Sequence, residues 1–373
     1  MKAATGFWWD EKCFWHTGGS YAFLAPVGGL VQPLAAGGLP ENPETKRRLK
    51  NLLHVTGLID ELSVSSAEPA TRDELLRVHP ATYLHAFKEL SDGKGGELGE
   101  RTPFGPGGYD IAALSAGLAT SALRKVLAGE QQNAYALSRP PGHHCLPDKP
   151  MGFCLLANIA IAIEAAFAEK RAGRIAVIDW DVHHGNGTEG IFYERSDVLT
   201  ISLHQENNYP RESGRAADRG AGKGEGCNIN VPLVPGTGHL GYLHAFERIV
   251  IPALRAYGPD AIVVACGFDA SGVDPLSRTM ASSSTFADMA RMTMQAAEEL
   301  CGGKLVLVHE GGYSEAHVPF CGHAVIAALS GSSIEAADPF AFRLDFQQPN
   351  ADFVAYQKGL IDRMAVAFGP WRF

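Results

Sequence analysis

The chain has 373 residues, 46% hydrophobic and 20% charged, a make-up that suits a globular protein with a substantial buried core. Its net charge of −9 argues against a nucleic-acid binder, which needs a basic face, and mildly favours cationic ligands. No run of about 18 apolar residues predicts a membrane-spanning helix, and the start, "MKAATGFWWDEKCFW", lacks the apolar core of a signal peptide.

From the N-terminal side, "PETKRRLKNLLHVTGL" (43–58) opens with Pro and repeats apolar residues at three and four, which predicts a helix. A Gly/Pro-rich stretch at 91–108 has no period. "AYALSRP" (134–140) is a short apolar run of strand type. The Ala-rich "LLANIAIAIEAAFAEKRAG" (155–173) is helical and stops at Gly173. Two more strand runs follow, "RIAVIDWD" (174–181) and "VLTISLH" (198–204), then a second aperiodic stretch at 205–226. Helical patterns ending at Gly258 and Gly302 alternate with the strand runs "AIVVACGFD" (261–269) and "KLVLVHEGG" (304–312). Such nearly continuous apolar strands are buried on both faces, as in a parallel sheet. Strand–helix alternation predicts an α/β fold with a mainly parallel central sheet flanked by helices. No linker divides the chain, so residues 1–373 are expected to be one domain. Seven widely spaced cysteines with no C-x-x-C pair fit reduced thiols and a cytoplasmic protein.

In folds of this class, active sites form where loops leave the carboxyl ends of strands. Four predicted strand ends carry chemistry-bearing residues: "RPPGHH" (139–144), "DWDVHHGNG" (179–187), "CGFDASGVDP" (266–275) and "HEGGYS" (309–314). Side chains of a strand alternate, so Asp179, Asp181 and His183 would share one side. Asp and His are normal zinc ligands, and a catalytic zinc keeps three protein ligands and one open position. Asp181 and His183 supply two, and Asp269 stands at a suitable strand end for the third. Capping of a helix starting near Gly187 is the alternative for Asp179 and His183. The tandem His143 and His144 follow a Pro-Pro-Gly turn, where both rings can face a pocket and exchange protons. Tyr313 follows Gly311 and Gly312, so its hydroxyl could reach an oxyanion.

As an ordered set, "RPPGHH", "MGFCLLAN", "DWDVHHGNGT", "LTISLH", "GFDAS…DPL" and "EGGY" resemble the histone deacetylase superfamily, most closely the bacterial class II histone deacetylase-like amidohydrolases. The resemblance implies a three-layer arginase/deacetylase-like fold and zinc-dependent removal of acetyl groups from Nε-acetyl-lysine-type substrates. By it, Asp181, His183 and Asp269 hold one catalytic zinc, and Asp179 backs His143. His144 is then the general base and acid, His143 its electrostatic partner, and Tyr313 polarises the acetyl carbonyl. Phe153 and Tyr209 match the walls of the acyl-lysine tunnel, and Gly152 a backbone acceptor for the substrate amide. One structural potassium matches Asp179, Asp181, His183, Ser202 and Leu203, and a second matches Phe192, Arg195, Val198 and Cys227. Hydroxamate inhibitors are expected, and the resemblance leaves room for a homo-oligomer.

Three departures from the family pattern stand out. Asn186 replaces the class I aspartate behind the second histidine, a change shared with class II. Cys227 occupies a position that is often aromatic. Glu97 in "KGGELGE" is the candidate rim acid. Acetylpolyamine deacetylation is the alternative activity. Relatives that prefer those substrates carry an acid after "DP", where this chain has Leu276. A binuclear manganese ureohydrolase needs D-x-H-x-D, and Gly185 stands at its last position. A non-catalytic acyl-lysine reader would have no use for the histidine pair and Tyr313.

Overall fold

The computed structural model describes residues 4–22, 24–26, 38–371 and 373. Its centre is a sheet of eight parallel strands: β1 (Gly6–Trp8), β2 (Ser63–Ser65), β3 (Asn133–Ala136), β4 (Ile175–Asp179), β5 (Val198–Gln205), β6 (Asn228–Leu233), β7 (Ala261–Cys266) and β8 (Leu305–His309). Their order across the sheet is β6-β5-β4-β7-β8-β3-β1-β2. The five runs predicted from sequence are the five contiguous strands β5-β4-β7-β8-β3. Those strands are covered on both faces, which is why they read as unbroken apolar runs.

The strands missed by the apolar pattern lie at the two margins. β1 and β2 have three residues each, too few for any period to show. β6 alternates Asn228 and Asn230 with Ile229 and Val231, and its Pro232 fits an edge position.

Alternation along the strands builds two cores. Tyr135, Ile178, Val264 and Leu307 face one side, where they meet Leu49 and Leu53 of α1 (Glu44–Thr56) and Val325 of the helix Val318–Ser330. Ala134, Val177, Val263 and Val306 face the other, against Leu118 and Leu123 of Gly108–Leu127 and Ile159 of Asn158–Ala168. The result is the three-layer arrangement expected from the sequence. The helix Gly108–Leu127 was not predicted. It is rich in small residues and mostly buried, so no polar face marks its period.

The chain leaves β3, passes over two positions and enters β4. It then runs outward through β5 and β6 and returns on β4's other side at β7. The carboxyl ends of β4, β7, β8 and β3 are therefore neighbours, and a topological switch point of this kind opens a crevice.

Candidate active site

The turn after β3 carries the two histidines, and one buried carboxylate holds it. Glu310 Oε2, just past β8, accepts the main-chain N–H of Gly142 at 2.7 Å and of His143 at 3.1 Å. Both rings consequently face inward, with centroids 3.9 Å apart. His143 Nδ1 lies 2.9 Å from Asp179 Oδ2, whereas His144 Nδ1 lies 2.8 Å from Asn186 Oδ1. An amide oxygen only accepts, so His144 donates from Nδ1 and keeps a bare lone pair on Nε2. The two environments bias the rings in opposite directions. Burial alone would lower His143, but the Asp181 and Asp179 carboxylates outweigh it and hold the ring well above the ordinary histidine range. Burial, then the neighbouring His143 and His183, pulls His144 well below that range.

Beside the pair, Asp181, His183 and Asp269 bring one ligand atom each within 4.8 Å of one another, all buried. His183 Nδ1 is 3.1 Å from Asp181 Oδ1 and 3.0 Å from Asp269 Oδ2. Main-chain donors orient both carboxylates: Gly311 N–H to Asp181 Oδ2 at 2.8 Å and Val182 N–H to Asp269 Oδ1 at 2.8 Å. Gly311 is required here, since a Cβ on it would fall 2.2 Å from Asp269 Oδ2 and 2.6 Å from Asp181 Oδ2. Burial would lower His183, but the two carboxylates hold it up to about 10. Two buried carboxylates sharing a single imidazole call for a cation. A divalent metal with an open coordination position fits that donor set.

Tyr313 stands across the cleft, its ring centroid 6.3 Å from that of His183 and 5.8 Å from that of Phe153. Its N–H donates to Asp274 Oδ2 at 2.7 Å, an anchor that sequence reasoning did not assign. Burial, and then the nearby Asp269 and Asp181 carboxylates, push the phenol well above its usual range. Its hydroxyl therefore remains a donor.

A cleft of about 410 Å³ opens over His144, His183 and Tyr313. Gly152, Phe153, Tyr209 and Leu276 all line it. Glu97 does not; its carboxylate accepts Thr102 N–H at 3.0 Å. Glu100, Arg101 and Arg211 line the cleft instead, and their only signal in the sequence was the length of the two aperiodic loops that carry them. Beneath the site, strand register sets Ser202 beside Asp179, and Ser202 Oγ meets His204 Nδ1 at 2.9 Å. Leu203 is buried next to it. Farther out, the Phe192 carbonyl accepts Arg195 N–H at 3.0 Å and the Cys227 carbonyl accepts Thr200 N–H at 2.9 Å.

A family model, the histone deacetylase domain, matches residues 39–329, a span that includes every residue of this site named above. The chain belongs to the histone deacetylase family. This histone deacetylase-like chain is 57% identical over 369 residues to a histone deacetylase-like amidohydrolase of Pseudomonas aeruginosa, covering 99% of this chain and 97% of that one. It is 38% identical to a probable deacetylase of Archaeoglobus fulgidus, over 80% of this chain and 84% of the relative. Among solved structures, the HDA15 HD domain superposes with a TM-score of 0.83 at 31% identity, covering 99% of this chain and 97% of that one. The fold is thus the arginase/deacetylase three-layer α/β fold expected from the motifs. The family comprises metal-dependent amidohydrolases that act on acetylated amides. Among the described residues, no helix is long and apolar enough to cross a membrane.

Proposed function

We propose that the chain is a zinc-dependent deacetylase that hydrolyses the acetyl amide of Nε-acetyl-lysine-type substrates. One observation carries the reading. Two histidines backed by different partners, Asp179 and Asn186, lie beside a buried Asp-His-Asp set and opposite a protonated tyrosine, and His144, His183 and Tyr313 of this group line one cleft.

Asp181, His183 and Asp269 would hold the zinc, which when bound polarises the carbonyl and makes water a stronger acid. The chain's own groups do the rest. His144 takes the proton of the attacking water on its bare Nε2 and later delivers it to the leaving nitrogen. His143, held by Asp179, is the electrostatic partner beside the developing anion. The Tyr313 hydroxyl donates to the oxyanion, a bond made mainly in the transition state. Water adds to the carbonyl carbon, the C–N bond breaks, and acetate and a free amine leave. Phe153 and Tyr209 supply apolar walls for the lysine methylenes, and Gly152 offers its backbone to the substrate amide.

The reading extends to a structural potassium at Asp179, Asp181, His183, Ser202 and Leu203, and to a second at Phe192, Arg195, Val198 and Cys227. Hydroxamates are expected ligands. The seven free, buried cysteines suit a reducing compartment such as the cytoplasm. Acetate release from an acetyl-lysine amide by zinc-replete protein tests the activity. No release by the wild type, or equal release by His144→Ala, would overturn it.

A further inference from the structure

Backbone strain in this molecule is concentrated around the cleft. Among the described residues, five non-glycine positions have positive φ: Arg101 (57°), Phe153 (69°), Lys170 (55°), Asn207 (54°) and Glu212 (59°). Arg101 and Phe153 line the cleft, and Asn207 and Glu212 flank its residues Asn208, Tyr209 and Arg211. Such conformations are costly for residues with a side chain and cluster where geometry is part of function. The strain at Arg101 is locked in by pairing with the opposite wall. Gly152 N–H donates to the Glu100 carbonyl at 3.0 Å, and Phe153 N–H to the Arg101 carbonyl at 2.9 Å. The guanidinium then lies 5.3 Å from the centre of the Tyr209 ring, so the side chain is directed over the cleft.

This arginine has no carboxylate partner among the described residues, and neither has Arg211. The residues outside the described set contain no Asp or Glu. Arg101 is half-buried and Arg211 exposed, so both stand outside the buried His144 and His183. Among the residues lining the cleft the one acid is Glu100, and Glu212, also exposed, adjoins Arg211 without an ion pair to it. In a chain of net charge −9, two arginines without an ion-pair partner stand at the entrance of the cleft. Guanidinium groups pair with carboxylates in a planar, two-point geometry.

We propose that Arg101 and Arg211 form an anion-reading rim that selects acetylated amines bearing a carboxylate at the far end, as Nε-acetyl-lysine with a free α-carboxylate does. This rests on the deacetylase reading and narrows its substrate class. The same rim repels polycations. Free acetylated amino acids and acetyl-lysine at a peptide C-terminus share the required chemistry.

The test compares kcat/KM for Nα-acyl-Nε-acetyl-lysine as the carboxylate and as its methylamide, at low and high salt. C-terminal and internal acetyl-lysine peptides, and free Nε-acetyl-lysine, form further arms that separate the two sources. The wild type should prefer carboxylates by about fivefold or more at low salt, a gain that shrinks with salt. Arg101→Gln with Arg211→Gln should abolish the preference, and the two Lys variants, which keep the charge but not the two-point geometry, should retain only part of it. Equal turnover of acid and amide by the wild type, or an unchanged ratio in the double Gln variant, overturns the rim. If neither compound is hydrolysed, the deacetylase reading fails. Calorimetric affinities of the zinc-loaded protein for the same two compounds then still decide the rim by the same ratio.

Discussion

Gly152 and the His144 ring touch so closely that no side chain fits between them. A Cβ at position 152 would fall 2.4 Å from His144 Cδ2 and 2.9 Å from Tyr209 Cε1, and φ there is +50°. Glycine is needed for both the conformation and the space. Gly152→Ala should push His144 from its place over the cleft floor. A displacement of about 1 Å in such a group costs on the order of 10²-fold in rate. Steady-state kinetics and circular dichroism check it: kcat/KM should fall by about that factor in a protein that still folds. Activity within twofold of wild type would contradict the contact.

Tyr313→Phe keeps the ring against Phe153 and removes only the hydroxyl. The main-chain anchor to Asp274 is untouched. By comparison with other oxyanion donors, kcat should fall by about 10²–10³, or roughly 3–4 kcal/mol, with little change in KM. A wild-type kcat would remove Tyr313 from the mechanism.

Metal dependence has a readout apart from turnover. Asp181→Ala or Asp269→Ala leaves two of the three buried ligands, so both bound zinc and activity should be lost. Chelation of the wild type should lower Tm, because a metal bound only by the folded state stabilises it. Elemental analysis showing near-stoichiometric zinc with full turnover in either variant would sink the assignment.

The sequence carries the centre of the sheet and the floor of the site because both rest on local pattern. β3, β4, β5, β7 and β8 are mostly apolar, and His143, Asp181, Asp269 and Tyr313 each lie within seven residues past the end of one of them. The margin strands and the rim are a different matter. Arg101 is placed by hydrogen bonds from some fifty positions away, Phe153 N–H to its own carbonyl and Gly152 N–H to that of Glu100, inside a loop with no period. Asp274 acts through the N–H of Tyr313, 39 positions on, and nothing in the "DP" dipeptide announces it. Glu97 and Glu100 lie three residues apart in one loop, and only the folded backbone sets Glu100 at the cleft.

His79 gives a pH test remote from the metal ligands. Its Nε2 accepts Ala157 N–H at 3.1 Å, so Nδ1 carries the hydrogen and donates to the Pro147 carbonyl at 2.7 Å. The first bond requires the neutral ring, because a protonated Nε2 cannot accept; the second survives protonation. Burial lowers the group from 6.5 to about 4, a shift that the Pro147 bond only partly opposes. Between these values the unfolded chain binds a proton that the folded chain refuses, so stability is lost as pH falls from 6.5 through 4. The loss reaches about 3 kcal/mol at most. His79→Gln cannot titrate, and its stability deficit relative to wild type should shrink over that window. Chemical denaturation of both proteins at pH 7 and pH 4 measures it; a deficit independent of pH would refute the linkage.

Leu276 tests the substrate class from the opposite direction to the rim arginines. Its side chain lines the cleft, and its backbone is pinned at both ends. The N–H donates to Asp274 Oδ1 at 2.9 Å, and the carbonyl accepts Asn208 Nδ2 at 3.2 Å. A substitution here therefore alters the wall without freeing the loop. Leu276→Glu places a carboxylate where the wild type offers only apolar surface, facing Arg101 and Arg211 across the same cleft. Attraction between unit charges at such a site is about 1–4 kcal/mol, depending on how much water remains. The variant should gain kcat/KM for acetylated polyamines relative to neutral acetyl-lysine amides, and should lose any preference for carboxylate-bearing substrates. Both effects should weaken as salt rises, because charges at a cleft entrance are screened. The measurement is the ratio of kcat/KM for acetylspermidine and an acetyl-lysine amide, on wild type and variant, at low and high salt. A wild type that already prefers acetylspermidine by about tenfold, equivalent to roughly 1.4 kcal/mol, or a variant with an unchanged ratio, removes Leu276 as a selecting residue.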